Sequence, residues 1–401
     1  MVLYLVRKKD PRLMTPDNFK YVGKPMLITE NAKTAIRTFV NQHYPDVGRY
    51  TDFLENPIPK LDLNCPQHIA DMEDGAHLLF YRTGGAGDLL MIAPLLESIK
   101  HRYPKIEITL ATDRKFHGIV RMMPYVDHVE TFPMVEDTYK HFKYYSSFYE
   151  TIEMHFQKSR EMHGTDLFAD HIGWNWSEDD KKSATLDIPA KATKRIDKLM
   201  VREKVPPGAQ IVVVQFRASN VNRAFDLRKM ADVIGKLGCR PNTHVFVVGG
   251  KPEECHFAWK NDDGSKMASI HKVLGELKFQ ESAALVARAD VCIAPDSAIV
   301  HLAGSLGIPC VGLYGPFPGS IRVAYYPKAI TIEAKSDCTP CFSHGSYMCT
   351  PLSKRLQDLQ DEDGNKPIWA PAPCWDSITV EDVLTPVARI LDHDESIYRE
   401  D

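Results

Sequence analysis

Residues 289–316, ADVCIAPDSAIVHLAGSLGIPCVGLYGP, leave this chain few folds to choose from. An apolar run from Val291 to Ala294 stops at Pro295-Asp296-Ser297, a helix-length segment follows to Ser305, and a second apolar run from Cys310 to Tyr314 ends in Gly315-Pro316. Strand, turn, helix and strand in that order belong in a parallel α/β sheet. Asp296 and Ser297 stand where a helix N-cap is expected. Unpaired backbone N–H groups and the positive end of the helix dipole therefore converge on Asp296, Ser297 and Ala298, which suits a phosphate or diphosphate. His301 lies four residues beyond Ser297, on the same helix face and close to that positive end. An ordinary capped helix with a buried histidine would read the same way, so a second site has to weigh in.

That second site is the run His77-Leu78-Leu79-Phe80-Tyr81 entering Arg82-Thr83-Gly84-Gly85-Ala86-Gly87-Asp88, followed by LLMIAPLLESIKHRYP. A buried strand meets a glycine turn, and a helix with apolar residues at helical spacing leaves it. Glycines let a backbone approach a ligand closely, and Asp88 sits at the mouth of the turn, where its carboxylate can face a ligand crevice or cap the helix. The turn also matches the first two glycines of a dinucleotide fingerprint, with Asp113 at the end of the next strand as the ribose-binding acid. Leu90 stands where the third small residue should be, so that fingerprint is incomplete.

A chain of 401 residues with 44% hydrophobic composition can build two or three domains with sizeable cores. No apolar stretch approaches the ~20 residues that span a bilayer. The start MVLYLVRKKDPRLM is too short and too soon charged for a signal peptide, so a cytoplasmic location is expected. A net charge of −4 offers no global attraction to nucleic acid, though a local basic groove stays open.

Residues 1–74 are mixed and proline-containing, with one expected helix over Asn31 to His43. Residues 75–134 alternate strand and helix, including a strand from Ile106 to Ala111. Between 135 and 190 the chain turns aromatic and polar, as the acceptor side of a cleft or as a helical excursion packed on its own sheet. The run KATKRIDKLMVREK carries Lys191, Lys194, Arg195, Lys198, Arg202 and Lys204, a solvated helix face or a contact for an anionic membrane or substrate. Pro206-Pro207-Gly208 marks an interdomain linker. Beyond it, strands at Ile211 to Gln215, His244 to Val248, Val291 to Ala294 and Cys310 to Tyr314 alternate with helices near 225–237 and 280–288.

Four of the nine cysteines, Cys338, Cys341, Cys349 and Cys374, cluster as C-x2-C-x7-C-x24-C. In a cytoplasmic protein this pattern points to a metal before it points to disulfides, and four thiolates make a closed, structural shell for zinc or iron. His344 is a substitute ligand, and free thiols in a loop are the alternative.

Together, the Gly87-Asp88 turn, the phrase PLLESIKHRYPKIEITLAT and the block ESAALVARADVCIAPDSAIVHLAGSLGIPCVGLYGP resemble the heptosyltransferases of glycosyltransferase family 9 over roughly residues 75–392. The cysteine cluster is similar to that of the autotransporter heptosyltransferases, with a different spacing between the second and third cysteines. The resemblance implies an α/β GT-B fold: two Rossmann-like domains facing a cleft, with an N-terminal accessory region and a C-terminal Cys-rich metal finger. The expected organisation is an accessory region over 1–74, an acceptor domain over 75–205, a nucleotide-sugar domain over 206–335, and the finger with a C-terminal helix over 336–401.

The resemblance also implies inverting transfer of a heptose-like sugar from an ADP-sugar, with Asp88 as catalytic base and no catalytic metal. The donor would be held by Gly87, Ser219, Arg223, Glu253, Asp296, Ser297, Ala298 and His301. Arg223 replaces the family's usual lysine, with Arg217 as an alternative, and Glu253 takes the ribose position. The family usually reads Asn-Asp-Ser-Gly where this chain has Pro295-Asp296-Ser297-Ala298, so the methyl of Ala298 narrows the approach of a phosphate. Lipopolysaccharide, a protein hydroxyl or a hydroxylated DNA base are the expected acceptors. A nucleotide-binding module without catalysis is the reading from another class.

Overall fold

A computed structural model describes residues 3–8, 26–29, 51–55, 58–82, 85–131, 141–148, 158–250, 257–343, 349–359 and 370–398. Contacts divide the chain into two compact units. One comprises Met1–Gly84, Leu95–His155 and Asp166–Asp180; the other comprises Gly85–Pro94, Phe156–Thr165 and Lys181–Asp401. The segment 181–205, expected with the first domain, is grouped with the second. The helix Ala190–Arg202 explains this, because its buried face of Ala192, Ile196 and Leu199 packs on the helix Phe279–Val286. Its basic residues form the opposite, mostly exposed face, as an amphipathic helix requires.

The first unit holds two sheets. Strands β1 (Leu3–Lys8), β2 (Met26–Thr29) and β3 (Thr51–Glu55) form an antiparallel sheet in the order β2-β1-β3. The helix expected over Asn31 to His43 lies outside the described residues. A parallel sheet follows, built from β4 (His77–Tyr81), β5 (Glu107–Thr112), β6 (His128–Thr131) and β7 (Tyr144–Ser147) in the order β6-β5-β4-β7. Strand β7 corrects the reading of the aromatic segment as a departure from the sheet. Tyr144, Tyr145 and Phe148 are buried, and Phe148 stacks on Phe80 of β4 with centroids 5.7 Å apart. These rings serve the core, where large apolar area is worth most.

The second unit is built on six parallel strands: β8 (Gln210–Gln215), β9 (Thr243–Val248), β10 (Ile270–Lys272), β11 (Val291–Pro295), β12 (Cys310–Tyr314) and β13 (Ala329–Glu333). Their order is β10-β9-β8-β11-β12-β13. The order reverses between β8 and β11, the place where ligands settle at the carboxyl ends of strands in open α/β sheets. Strands β8, β11 and β12 read as unbroken apolar runs because helices cover both faces. The helices Leu227–Gly238 and Val380–Leu391 supply much of that cover, the second held at its start by a Thr379–Asp382 capping box. No described helix is long and apolar enough to cross a membrane.

Candidate functional site

The site is assembled where β8 and β11 release their chains. After β11, Ser297 takes the N-cap backbone conformation and the helix runs from Ala298 to Ser305. The Ser297 hydroxyl makes no capping hydrogen bond and lies buried without a partner. Ser297 therefore caps through its backbone while its oxygen stays available. Asp296 does not cap either. Its carboxylate, 5% exposed, faces Arg223 across 3.6 Å (Nη1 to Oδ2).

Arg223 arrives from a short turn after β8, and its Nη2 donates to Ser219 Oγ at 2.6 Å. Arg223 Nε is buried without a partner, so one face of the guanidinium is committed and one edge is not. Burial pushes the Asp296 carboxyl upward, but Arg322 and then Arg223 and His301 outweigh it and hold the group below the ordinary carboxylate range. An ionised Asp296 repels a phosphate, so its chemistry is to orient the arginines. Arg217, the alternative basic residue, offers its carbonyl to Gln215 Nε2 at 2.8 Å.

Arg322 is the cation that sequence reading missed. It follows β12 by way of the Gly315-Pro316 turn and the helix Gly319–Arg322, and its guanidinium lies 4.5 Å from the Phe317 ring centroid. Its position at the carboxyl end of the next strand was the available signal. A buried histidine fixes its backbone. Thr165 N–H donates to His163 Nδ1 at 3.2 Å, which leaves the proton on Nε2 to reach the Arg322 carbonyl at 3.2 Å. Burial, with the charges of His301 and Arg322, drops His163 to about 3, so it stays a neutral brace.

His301 is buried at 4% exposure, with Nδ1 3.1 Å from the Tyr326 hydroxyl. Gly304, one turn along the same helix, makes room for the Tyr326 ring; a methyl built there would lie 2.2 Å from Cγ. Burial lowers His301 to about 4 against the opposing pull of Asp296, so the imidazole is neutral near pH 7 and offers a dipole rather than a full charge.

The glycine turn meets this histidine. The helix Ala86–Arg102 begins with Ala86, and a methyl built on Gly87 would sit 3.0 Å from His301 Cδ2 and 3.9 Å from Ala298 Cα. A side chain there would need His301 to give by a few tenths of an ångström, so the close approach favours glycine. Asp88 is the third helical residue and not the N-cap. Its Oδ2 accepts from Gly85 N–H at 3.3 Å, the reaching-back half of a capping box, and its charge is felt at His301. Gly87, Asp88, Ser219, Arg223, Asp296, Ser297, Ala298 and His301 thus all fall in the second unit. Glu253 and His344 lie outside the described residues.

The cysteines converge more loosely. Burial, then Cys338, Cys349 and Cys341, raise the Cys374 thiol to about 12, and burial with Cys341 and Cys338 raises Cys349. The charges of Cys338 and Cys341 thus reach both Cys349 and Cys374. Among the described residues, the group whose ligand atoms all lie within 4.8 Å of one another is instead His77, Glu107 and His128. The segments that carry the cysteines brace the loop after β8: Trp375 Nε1–H donates to the Asn222 carbonyl at 3.0 Å, and Asn222 Nδ2 donates to the Ser343 carbonyl at 2.5 Å.

A six-stranded parallel sheet with Arg223 against Asp296 at a helix start, and a glycine turn seated on the same helix, defines an α/β protein of the open, doubly wound kind. The chain belongs to glycosyltransferase family 9 (heptosyltransferase), whose pattern it matches over residues 150–350, half of its length. It is 31% identical over 157 residues to lipopolysaccharide heptosyltransferase 1 of Pseudomonas aeruginosa, covering 39% of this chain and 43% of that protein. The chain spans about two fifths of the length of the curated relatives it matches.

Among solved structures, the ADP-heptose lps heptosyltransferase II of E. coli superposes with a TM-score of 0.59 at 14% identity, covering 80% of this chain and 99% of that one. The iron-containing dodecameric glycosyltransferase TibC of enterotoxigenic E. coli H10407 gives 0.52 at 15% identity, covering 97% and 92%. Both are likenesses of fold. The α/β fold with parallel sheets expected from the sequence is the one observed.

Proposed function

We propose that this chain is an inverting glycosyltransferase that moves a heptose-like sugar from an ADP-sugar to an acceptor hydroxyl. The observation that carries the reading is the seating of Gly87 against His301, which brings the Asp88 carboxylate and the anion cradle into one compact unit. Asp88 takes the proton of the acceptor hydroxyl as its oxygen attacks the anomeric carbon from the face opposite the nucleoside diphosphate. The bond from that carbon to the diphosphate oxygen breaks, and its electron pair leaves with the phosphate. Arg223, Arg322, the Ser297 hydroxyl and the N–H groups that open the Ala298–Ser305 helix receive the growing charge, while neutral His301 contributes a dipole. Asp296 and Ser219 hold Arg223 in place. Glu253 is retained as the ribose ligand on sequence alone.

Lipopolysaccharide is the acceptor that the relatives' names favour; a protein hydroxyl or a hydroxylated DNA base would use the same chemistry. The four cysteines fit a structural zinc or iron ion. Burial, helped by the neighbouring cysteines, raises Cys374 and Cys349, and a divalent cation would reverse that by binding the four as thiolates. Such an ion would order the C-terminal segment and supply no step of the transfer.

Asp88→Asn tests the reading. Transfer, or the slow hydrolysis of an ADP-sugar without acceptor, should fall about 100-fold or more while ADP affinity persists. Near-normal turnover in the variant would reduce Asp88 to a helix cap. Absence of any turnover in the wild-type protein across a panel of nucleotide sugars would favour a binding module.

A further inference from the structure

At the opposite end of β4 from the glycine turn, three side chains from three adjacent strands meet. His77 opens β4, Glu107 opens β5 and His128 opens β6. The parallel register pairs His77 with Glu107 and Thr109 with His128. Paired residues of parallel strands point to the same face, as do residues two apart, so all four side chains stand on one side of the sheet. His77 Nδ1 is 3.8 Å and His128 Nε2 is 3.2 Å from Glu107 Oε2, and the two imidazole centroids are 5.6 Å apart.

We propose that His77, Glu107 and His128 form a binding site for a divalent cation of the zinc type. Two imidazoles and a carboxylate suit zinc, whereas magnesium and calcium prefer all-oxygen shells. Ligands about 2.0–2.1 Å from a tetrahedral ion stand about 3.3 Å from one another. The His128–Glu107 separation already matches this, and the His77–Glu107 separation needs only a few tenths of an ångström from a glutamate side chain that is 57% exposed. His77 is the fixed member. Its Nε2 is 2.9 Å from the hydroxyl of Thr109, itself 1% exposed, and the Phe142 ring meets the imidazole edge-on at 4.6 Å. With Nε2–H donating to that hydroxyl, the Nδ1 lone pair faces Glu107, the orienting arrangement that metal-bound histidines require.

The charges of Glu107 and His128 stand beside His77. Asp127 and His141 also face His77 electrostatically. Asp127 is bound by Lys100 at 2.8 Å and by the Ile108 N–H, which leaves Glu107 as the carboxylate nearest the ion. The ion would join the entry ends of β4, β5 and β6, leaving outer positions to water.

Calorimetric titration of the full chain with zinc chloride, after its cysteines have been loaded with metal and excess ion removed, tests the site. One further zinc per chain should bind with a micromolar Kd. His128→Ala and Glu107→Gln should each weaken it tenfold or more, and His101→Ala should not. Cobalt at the same site should give d–d bands without the thiolate charge-transfer absorption of a cysteine site. No saturable zinc beyond the cysteine equivalent, or equal binding in all variants, overturns the proposal. Circular dichroism confirms that the variants are folded.

Discussion

Replacing Arg223 by alanine probes the anion cradle and the charge balance behind it together. Arg223 Nη1 stands 3.6 Å from the buried Asp296 carboxylate, which burial alone would raise and which Arg322 and Arg223 hold down. Removing one partner of a buried pair costs about 3–5 kcal/mol when nothing else compensates. Arg322 remains, so about 2 kcal/mol is the expected loss, or about 4–8 °C in a unit of this size. The pH dependence has a definite sign. In the wild-type protein the lowered Asp296 pKa contributes stability above the unfolded value and loses it as pH falls through the folded one. In the variant only Arg322 and His301 still oppose burial, so the folded pKa lies less far below the ordinary value and less of that stability is present at neutral pH. The difference in melting temperature should therefore be largest near pH 7 and shrink below about pH 4. ADP affinity should fall about 10- to 100-fold, the loss of charge-assisted bonds worth about 1.5–3 kcal/mol. Thermal scans at both pH values with and without ADP read all three quantities. Wild-type ADP affinity would move the diphosphate elsewhere, and an equal melting difference at both pH values would refute the charge argument.

Two more predictions concern His301 and the cysteines. Because His301 is buried and lowered to about 4, it stabilises the fold as a neutral ring, and that stability should drain away as pH drops from about 6.5 toward 4. His301→Gln should flatten this part of the stability profile; an unchanged profile contradicts the assignment. Protein purified without added metal should carry about one zinc or iron per chain, and Cys374→Ser should lower both metal content and melting temperature. Metal-free wild-type protein with full stability would remove the ion from the account.

The sequence revealed the elements with unbroken apolar runs. Strands at 211–215, 244–248, 291–294 and 310–314 were expected and lie within a residue of β8, β9, β11 and β12. Strands β6, β10 and β13 escaped because short, partly exposed edge or near-edge strands carry polar residues at alternate positions and lack that run. Strand β7 hid among tyrosines, and the β1–β3 sheet among proline-rich connections. The site followed the same division. Residues next to a strand end or on a helix start were legible, since their place follows from local chain direction. Arg322 and His163 act through a packing of distant segments, 159 residues apart, that no local pattern encodes.

The bracing of Asn222 has a consequence for the order in which the protein becomes competent. Its two supports lie 121 and 153 residues downstream, at Ser343 and Trp375, whereas the last strand of the sheet ends at Glu333. A ribosome will have released every strand of the second sheet while the loop carrying Arg223 still lacks both struts. Sheet formation and the bracing of this loop are thus separate events in synthesis, and the position of Arg223 is set after the sheet.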